Sequence, residues 1–151
     1  MAIEGEYRAS PWDWVRNQVE AYESSGGHTA NMLGDSDWPV VIVTCRGNRT
    51  GAIRKFALMR VEHDGEYALV ASLGGAPMNP NWYHNLVADP TALMIQDGGE
   101  AHDYVARQVE GDERTQWWDR AVKAFPSYAE YQGKTTRKIP VLVAKRAKPW
   151  S

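Results

Sequence analysis

A chain of 151 residues, 43% apolar and 24% charged, is long enough to bury a core without disulfides or metals. Its net charge of −2 gives no sign of general nucleic-acid affinity, so any basic patch must be local, and its single cysteine, Cys45, excludes an intrachain disulfide framework. The first ten residues lack an apolar targeting core, and no apolar run nears the roughly 20 residues of a spanning helix. The expectation is one soluble, cytoplasmic domain over 1–151, with a helix and loop over 1–37 and the main fold over 38–146.

Ser10 and Pro11 predict a helix start, and the helix over 12–22 carries Trp12, Val15, Val19 and Tyr22 near one face. Gly26 and Gly27 stop it. A β-branched run after Trp38-Pro39 predicts a strand to Arg46, the GNRTG turn follows, and residues 52–63 read as a second strand. Asp64-Gly65 signals a hairpin into a third strand over 66–72. A Gly/Pro loop then leads to a short helix, with Asn79 as its cap and Pro80 at its start. Strands over 91–97 and 102–111 flank a Gly-Gly-Glu turn, and an amphipathic helix covers 112–125. A Tyr-bearing loop or short helix precedes the last strand, 141–146. Three short hairpin connections exclude a doubly wound parallel sheet and argue for a small closed or partly closed β-barrel. The fold class is mainly β (α+β).

The chemistry is less explicit. The histidines lack HExxH spacing and Cys45 lies in an apolar strand, so no metal site and no thiol nucleophile is indicated. No GxSxG, GxGxxG or Walker pattern occurs. Two stretches remain. In "GNRTG" and the following Arg54, glycines would let backbone amides converge, with Thr50, Arg49 and Arg54 adding donors suited to phosphate or carboxylate. A solvated hairpin turn explains the same residues. In "ASLGGAPMNPNWYHN", Gly74 and Gly75 would admit a flat group close to backbone, beside Trp82 and Tyr83; a loop with a core tryptophan is the alternative. Together they suit a ligand with a flat apolar end and an anionic tail.

These stretches, with "YVARQVEGDERTQWWDRAV" and "FPSYAEYQGKTTRKIPVLV", resemble the deazaflavin-dependent nitroreductase family, which uses coenzyme F420 and has a split β-barrel. The resemblance implies a split barrel of about six mostly antiparallel strands with flanking helices. It implies that Asn48, Arg49, Thr50 and Arg54 hold the coenzyme's acidic tail and that Lys55, Phe56, Ala57, Leu58 and Met59 line its groove. Val70, Ala71, Ser72, Leu73, Asn81, Trp82, Tyr83, His84 and Asn85 would lie along the ring. Ser72, Trp82, Phe125, Tyr128 and Tyr131 would line the substrate pocket, with Ser72, Tyr128 and Tyr131 as catalytic hydrogen-bond donors. Relatives often carry lysine at the positions of Leu73 or Met78 and a basic residue at that of Asn48, so the tail's grip differs here.

The implied activity is hydride transfer from reduced F420 to electron-poor conjugated acceptors: quinones, α,β-unsaturated esters or lactones, and nitroaromatics. Alternatives are an FMN-dependent enzyme of the same barrel class and a noncatalytic carrier of the deazaflavin or of a tetrapyrrole. The partner is a small-molecule acceptor, the assembly a monomer or homodimer. The N-terminal helix is expected to cap the barrel; a membrane-surface role is not indicated, since it carries Asp13 and Glu20 and no basic stripe.

Overall fold

A computed structural model describes residues 3–147. Its centre is one antiparallel sheet of seven strands: β1 (Val40–Arg46), β2 (Ile53–Met59), β3 (Glu62–His63), β4 (Glu66–Val70), β5 (Leu93–Asp97), β6 (Glu100–Gln108) and β7 (Val141–Arg146). Their spatial order is β2-β1-β5-β6-β7-β4-β3. The two ends of that order are consecutive in sequence. The predicted strand over 52–63 bends at Arg60-Val61, so its first half pairs with β1 and its second with β4. Two backbone bonds hold the bend, from Arg60 N–H to the Pro39 carbonyl and from Ala68 N–H to the Val61 carbonyl, both 2.9 Å. One bent strand thus serves both edges and curls the sheet toward closure. The six expected strands become seven because this bend splits one of them, and the expected split barrel stands.

Alternation along the strands separates two cores. Val41, Val43 and Cys45 point to one face with Leu69, Leu93, Ile95, Tyr104 and Leu142, drawn from five strands. This is the inner face, and Leu86 of helix α2 (Asn81–Ala88) packs into it. Val40 and Ile42 point the other way, under helices α1 (Asp13–Ser24), α3 (Gly111–Ala124) and α4 (Ser127–Gly133), meeting Val19, Tyr22, Trp117, Ala121 and Tyr128.

The N-terminal helix caps the barrel wall. Val19 and Tyr22 are each 1% exposed, and the Tyr22 hydroxyl accepts the Gly98 N–H at 2.7 Å. The helix starts three residues later than Ser10: Trp12 is its N-cap, and the Ser10 hydroxyl accepts the Trp12 N–H instead. Ahead of it, residues 4–8 run along the β2 edge, with Arg8 N–H bonded to the Ile53 carbonyl and Ile53 N–H to that of Glu6. Among the described residues no helix is long and apolar enough to cross a membrane.

Candidate active site

The β1–β2 turn and helix α2 meet at one mouth of the barrel. Asn85, buried on α2, accepts the Asn48 N–H at 3.0 Å through Oδ1, and its Nδ2 donates to Cys45 Sγ at 3.8 Å. One side chain therefore ties the turn to the helix. A second tie is aromatic: Phe56 of β2 stacks on Trp82, centroids 5.5 Å apart and planes 19° apart. Between these elements and α1 opens a cavity of about 750 Å³. That volume lies within the range of small-molecule and cofactor sites.

The wall is chemically one-sided. Arg49, Arg54 and Lys55 contribute cations, and among the described residues no aspartate or glutamate lines the cavity. Lys55 is engaged, its ammonium 2.6 Å from Glu23 at the end of α1 and over the Tyr7 ring. Arg49 and Arg54 have no carboxylate partner among the described residues, whereas Arg46 and Arg60 pair with Asp89 and Asp97 at 2.8 Å. Much of the turn's backbone is already engaged within the protein. The amides of Gly47, Asn48, Gly51 and Ala52 already donate to Ala52, Asn85, Gly47 and the Thr50 hydroxyl. Arg49 and Arg54 add two guanidinium groups, whose forked donors suit an anion, to the same wall.

Eleven expected coenzyme residues share this wall: Asn48, Arg49, Thr50, Arg54, Lys55, Phe56, Leu73, Asn81, Trp82, His84 and Asn85. Others do not reach it. Met59 and Val70 are buried in the outer core with Ala57 against it, and Leu58 packs on the inner one. Ala71 is fully buried and Ser72 is 7% exposed, just behind Leu73. Tyr83 turns away, its hydroxyl donating to Gln108 of β6 at 2.6 Å. Phe125, Tyr128 and Tyr131 form an aromatic cluster with Trp38 and Trp118 under α3 and α4, away from the cavity wall. The physical reason is that these rings supply the apolar surface that docks α4 on the barrel. The Tyr128 hydroxyl and that of Tyr131 have no hydrogen-bond partner among the described residues, and burial pushes the Tyr128 phenol well above its ordinary range.

Three further wall residues, Ser10, Trp12 and Val15, come from the N-terminal segment. Periodicity placed Trp12 and Val15 on the face of Val19 and Tyr22, but gave no sign that its first turn overhangs a cavity while its last is core. Trp12 is 66% exposed. Arg137 was also missed. It bonds the loop that carries Leu73, and although it lies in the resemblance-bearing "FPSYAEYQGKTTRKIPVLV" stretch, nothing there assigns it to the site.

A cationic–aromatic cleft on a split barrel agrees with what the sequence matches. The model of the F420H(2)-dependent quinone reductase family matches residues 14–146. The chain belongs to the F420H(2)-dependent quinone reductase family. An F420H(2)-dependent quinone reductase of Mycobacterium tuberculosis is 32% identical over 128 residues, covering 83% of this chain and 85% of the relative. The structure of an F420-H2 dependent reductase, FDR-A, superposes with a TM-score of 0.67 at 50% identity, over 71% of this chain and 94% of that one. A structure titled a domain-swapped dimer gives a TM-score of 0.70 at 46% identity, covering 90% and 100%. This family member is an F420-dependent oxidoreductase, and reduced coenzyme F420 is its cofactor. The cavity suits that group: two guanidiniums without a carboxylate partner among the described residues match an acidic tail, and the Phe56–Trp82 pair offers a flat apolar wall.

Proposed function

We propose that this chain reduces quinones and other electron-poor conjugated acceptors, such as unsaturated lactones and nitroaromatics, with the coenzyme held in the 750 Å³ cavity. The observation that carries this reading is the wall with three cations and no carboxylate. Arg49 and Arg54 would hold the acidic tail through forked, charge-assisted hydrogen bonds. Trp82, braced by Phe56, would lie along the ring system. Reduced F420 supplies, when bound, a hydride for an electrophilic carbon.

The chain's own part is placement and exclusion of water. Trp12, Val15 and Leu73 bring apolar surface to the same opening as the cationic turn, which suits a planar acceptor with little charge. Relatives often carry lysine at the position of Leu73 or of Met78, and without it the tail would rely chiefly on Arg49 and Arg54. Ser72, Tyr128 and Tyr131 lie off this wall, and a donor role for them requires an acceptor that reaches behind Leu73. The relative titled a domain-swapped dimer makes a homodimer the assembly to look for by light scattering.

The test is Arg54→Gln, with F420 affinity followed by fluorescence and menadione reduction followed through the deazaflavin absorbance. Loss of one charge-assisted contact raises the coenzyme KM about tenfold or more. An unchanged KM would place the tail elsewhere, and binding without turnover on any acceptor would leave a carrier.

A further inference from the structure

We infer that Arg137 is a positioning residue for the coenzyme site: its guanidinium holds the 71–79 loop in the strained form that makes Leu73 part of the cavity wall. The inference rests on the reading that this cavity holds the coenzyme. Arg137 Nε donates to the Ala76 carbonyl at 2.9 Å, and Nη2 to the Ser72 carbonyl at 2.7 Å. Nη1 donates to the Ala71 carbonyl at 3.1 Å and to Asn79 Oδ1 at 2.7 Å. One side chain therefore gathers acceptors spanning the whole loop. Asn79, expected as the cap of α2, is turned to this cluster instead.

The loop needs such a hold. Leu73, Gly74 and Gly75 have φ of 44°, 63° and 84°, three successive residues in the left-handed region. Glycine adopts it freely, but a leucine does so only against the crowding of its Cβ. Conformations of this kind persist where the surroundings over-determine them. Packing of the leucine does not supply that, because Leu73 is 49% exposed. Gly75 is pinned from the other side: a Cβ there would lie 2.8 Å from the Tyr131 carbonyl of α4. The loop's carbonyls are held by Arg137, and all four acceptors are neutral oxygens. The contribution is thus the directional fork of a guanidinium, which a lysine ammonium cannot reproduce.

Without the clamp the loop populates other conformations, and the apparent coenzyme affinity falls by the fraction still competent. Bound coenzyme draws the loop back, so turnover at saturation is retained. Arg137→Lys and Arg137→Gln are therefore expected to raise the F420 KM about tenfold while kcat with menadione stays within about twofold. A fall in kcat and Tm at unchanged KM would mean a merely structural role and overturn the inference. Should the glutamine variant not fold, Arg137→Lys and Asn79→Ala carry the test: KM rises in both, and unchanged KM in both overturns it. Leu73→Gly supplies the second measurement. In that background the same Arg137 substitution raises KM less than about threefold, because glycine needs no clamp. Equal factors in both backgrounds would sink the route through Leu73. If Arg54→Gln leaves KM unmoved, the cavity assignment itself fails; if it raises KM and the Arg137 variants do not, this inference alone fails.

Discussion

The backbone N–H of Asn48 donates to the side-chain oxygen of Asn85 at 3.0 Å, joining a turn and a helix 37 residues apart in sequence. Asn85 also donates to Cys45, so both ends of its amide have a partner within the protein. Its role is to set the distance between the cationic turn and the Trp82 helix. Asn85→Leu keeps the branched shape, with slightly bulkier methyl ends, and removes both bonds, at a cost of about 1–2 kcal/mol. Calorimetry should show Tm lower by about 2–8 °C, with the coenzyme KM raised as the turn loosens. A variant with unchanged KM would dissociate the two elements functionally.

Tyr128 is 3% exposed and sits in the aromatic cluster, off the cavity wall. Tyr128→Phe removes a hydroxyl that has no hydrogen-bond partner among the described residues and leaves the ring packing intact. Menadione turnover is expected to change by less than about twofold, with Tm level or slightly higher. A tenfold loss in kcat would instead place the acceptor against this cluster.

Gly27 faces the β5–β6 turn at close range: a Cβ there would lie 2.5 Å from Gly98 Cα, and its φ is 80°. Gly27→Ala combines backbone strain with a clash against backbone, at a cost of about 2–3 kcal/mol. Denaturant unfolding should show a lower midpoint at unchanged m. No loss would mean the α1 terminus shifts freely.

Burial pushes the Cys45 thiol from 9.0 up to about 11. The folded state thus holds this proton more tightly than the unfolded chain. The sign follows: the contribution is fully present below pH 9 and is lost as pH rises through 11, at up to about 1.4 kcal/mol per pH unit. Over that window it amounts to about 2–3 kcal/mol. Cys45→Ala should be less stable near pH 7 because of the cavity it leaves, yet should lose stability less steeply between pH 9 and 11. Parallel curves would show that the thiol does not titrate with unfolding.

Local signals carried much of this molecule. The β-branched run after Pro39, the Asp64-Gly65 hairpin and the amphipathic 112–125 helix are all where periodicity and turn chemistry put them, because each is decided by neighbours within a few residues. The residue types of the cavity were also legible: "GNRTG", Arg54 and "NPNWYHN" drew attention as a cationic and an aromatic element, and their resemblance to the F420-using reductases named the coenzyme.

What only the tertiary structure decided depends on contacts between distant segments. The bend at Arg60-Val61 gives one strand two partners, and no local pattern marks it because both halves are ordinary strand sequence. Four of the turn's amides are taken by Asn85 and by the turn itself, which its glycine spacing does not reveal. Tyr128 and Tyr131 read as pocket residues by motif, yet an aromatic ring buries equally well against a ligand or another ring, and here α4 takes them into the second kind of contact. Trp12 lines the cavity and Arg137 bonds the loop that carries Leu73 from outside the GNRTG and NPNWYHN stretches, and their partners lie across the fold. Sequence specified the types of side chain and the local elements that carry them; which side chains meet was decided by the closing of the barrel, since direction in space is a property of the packed chain.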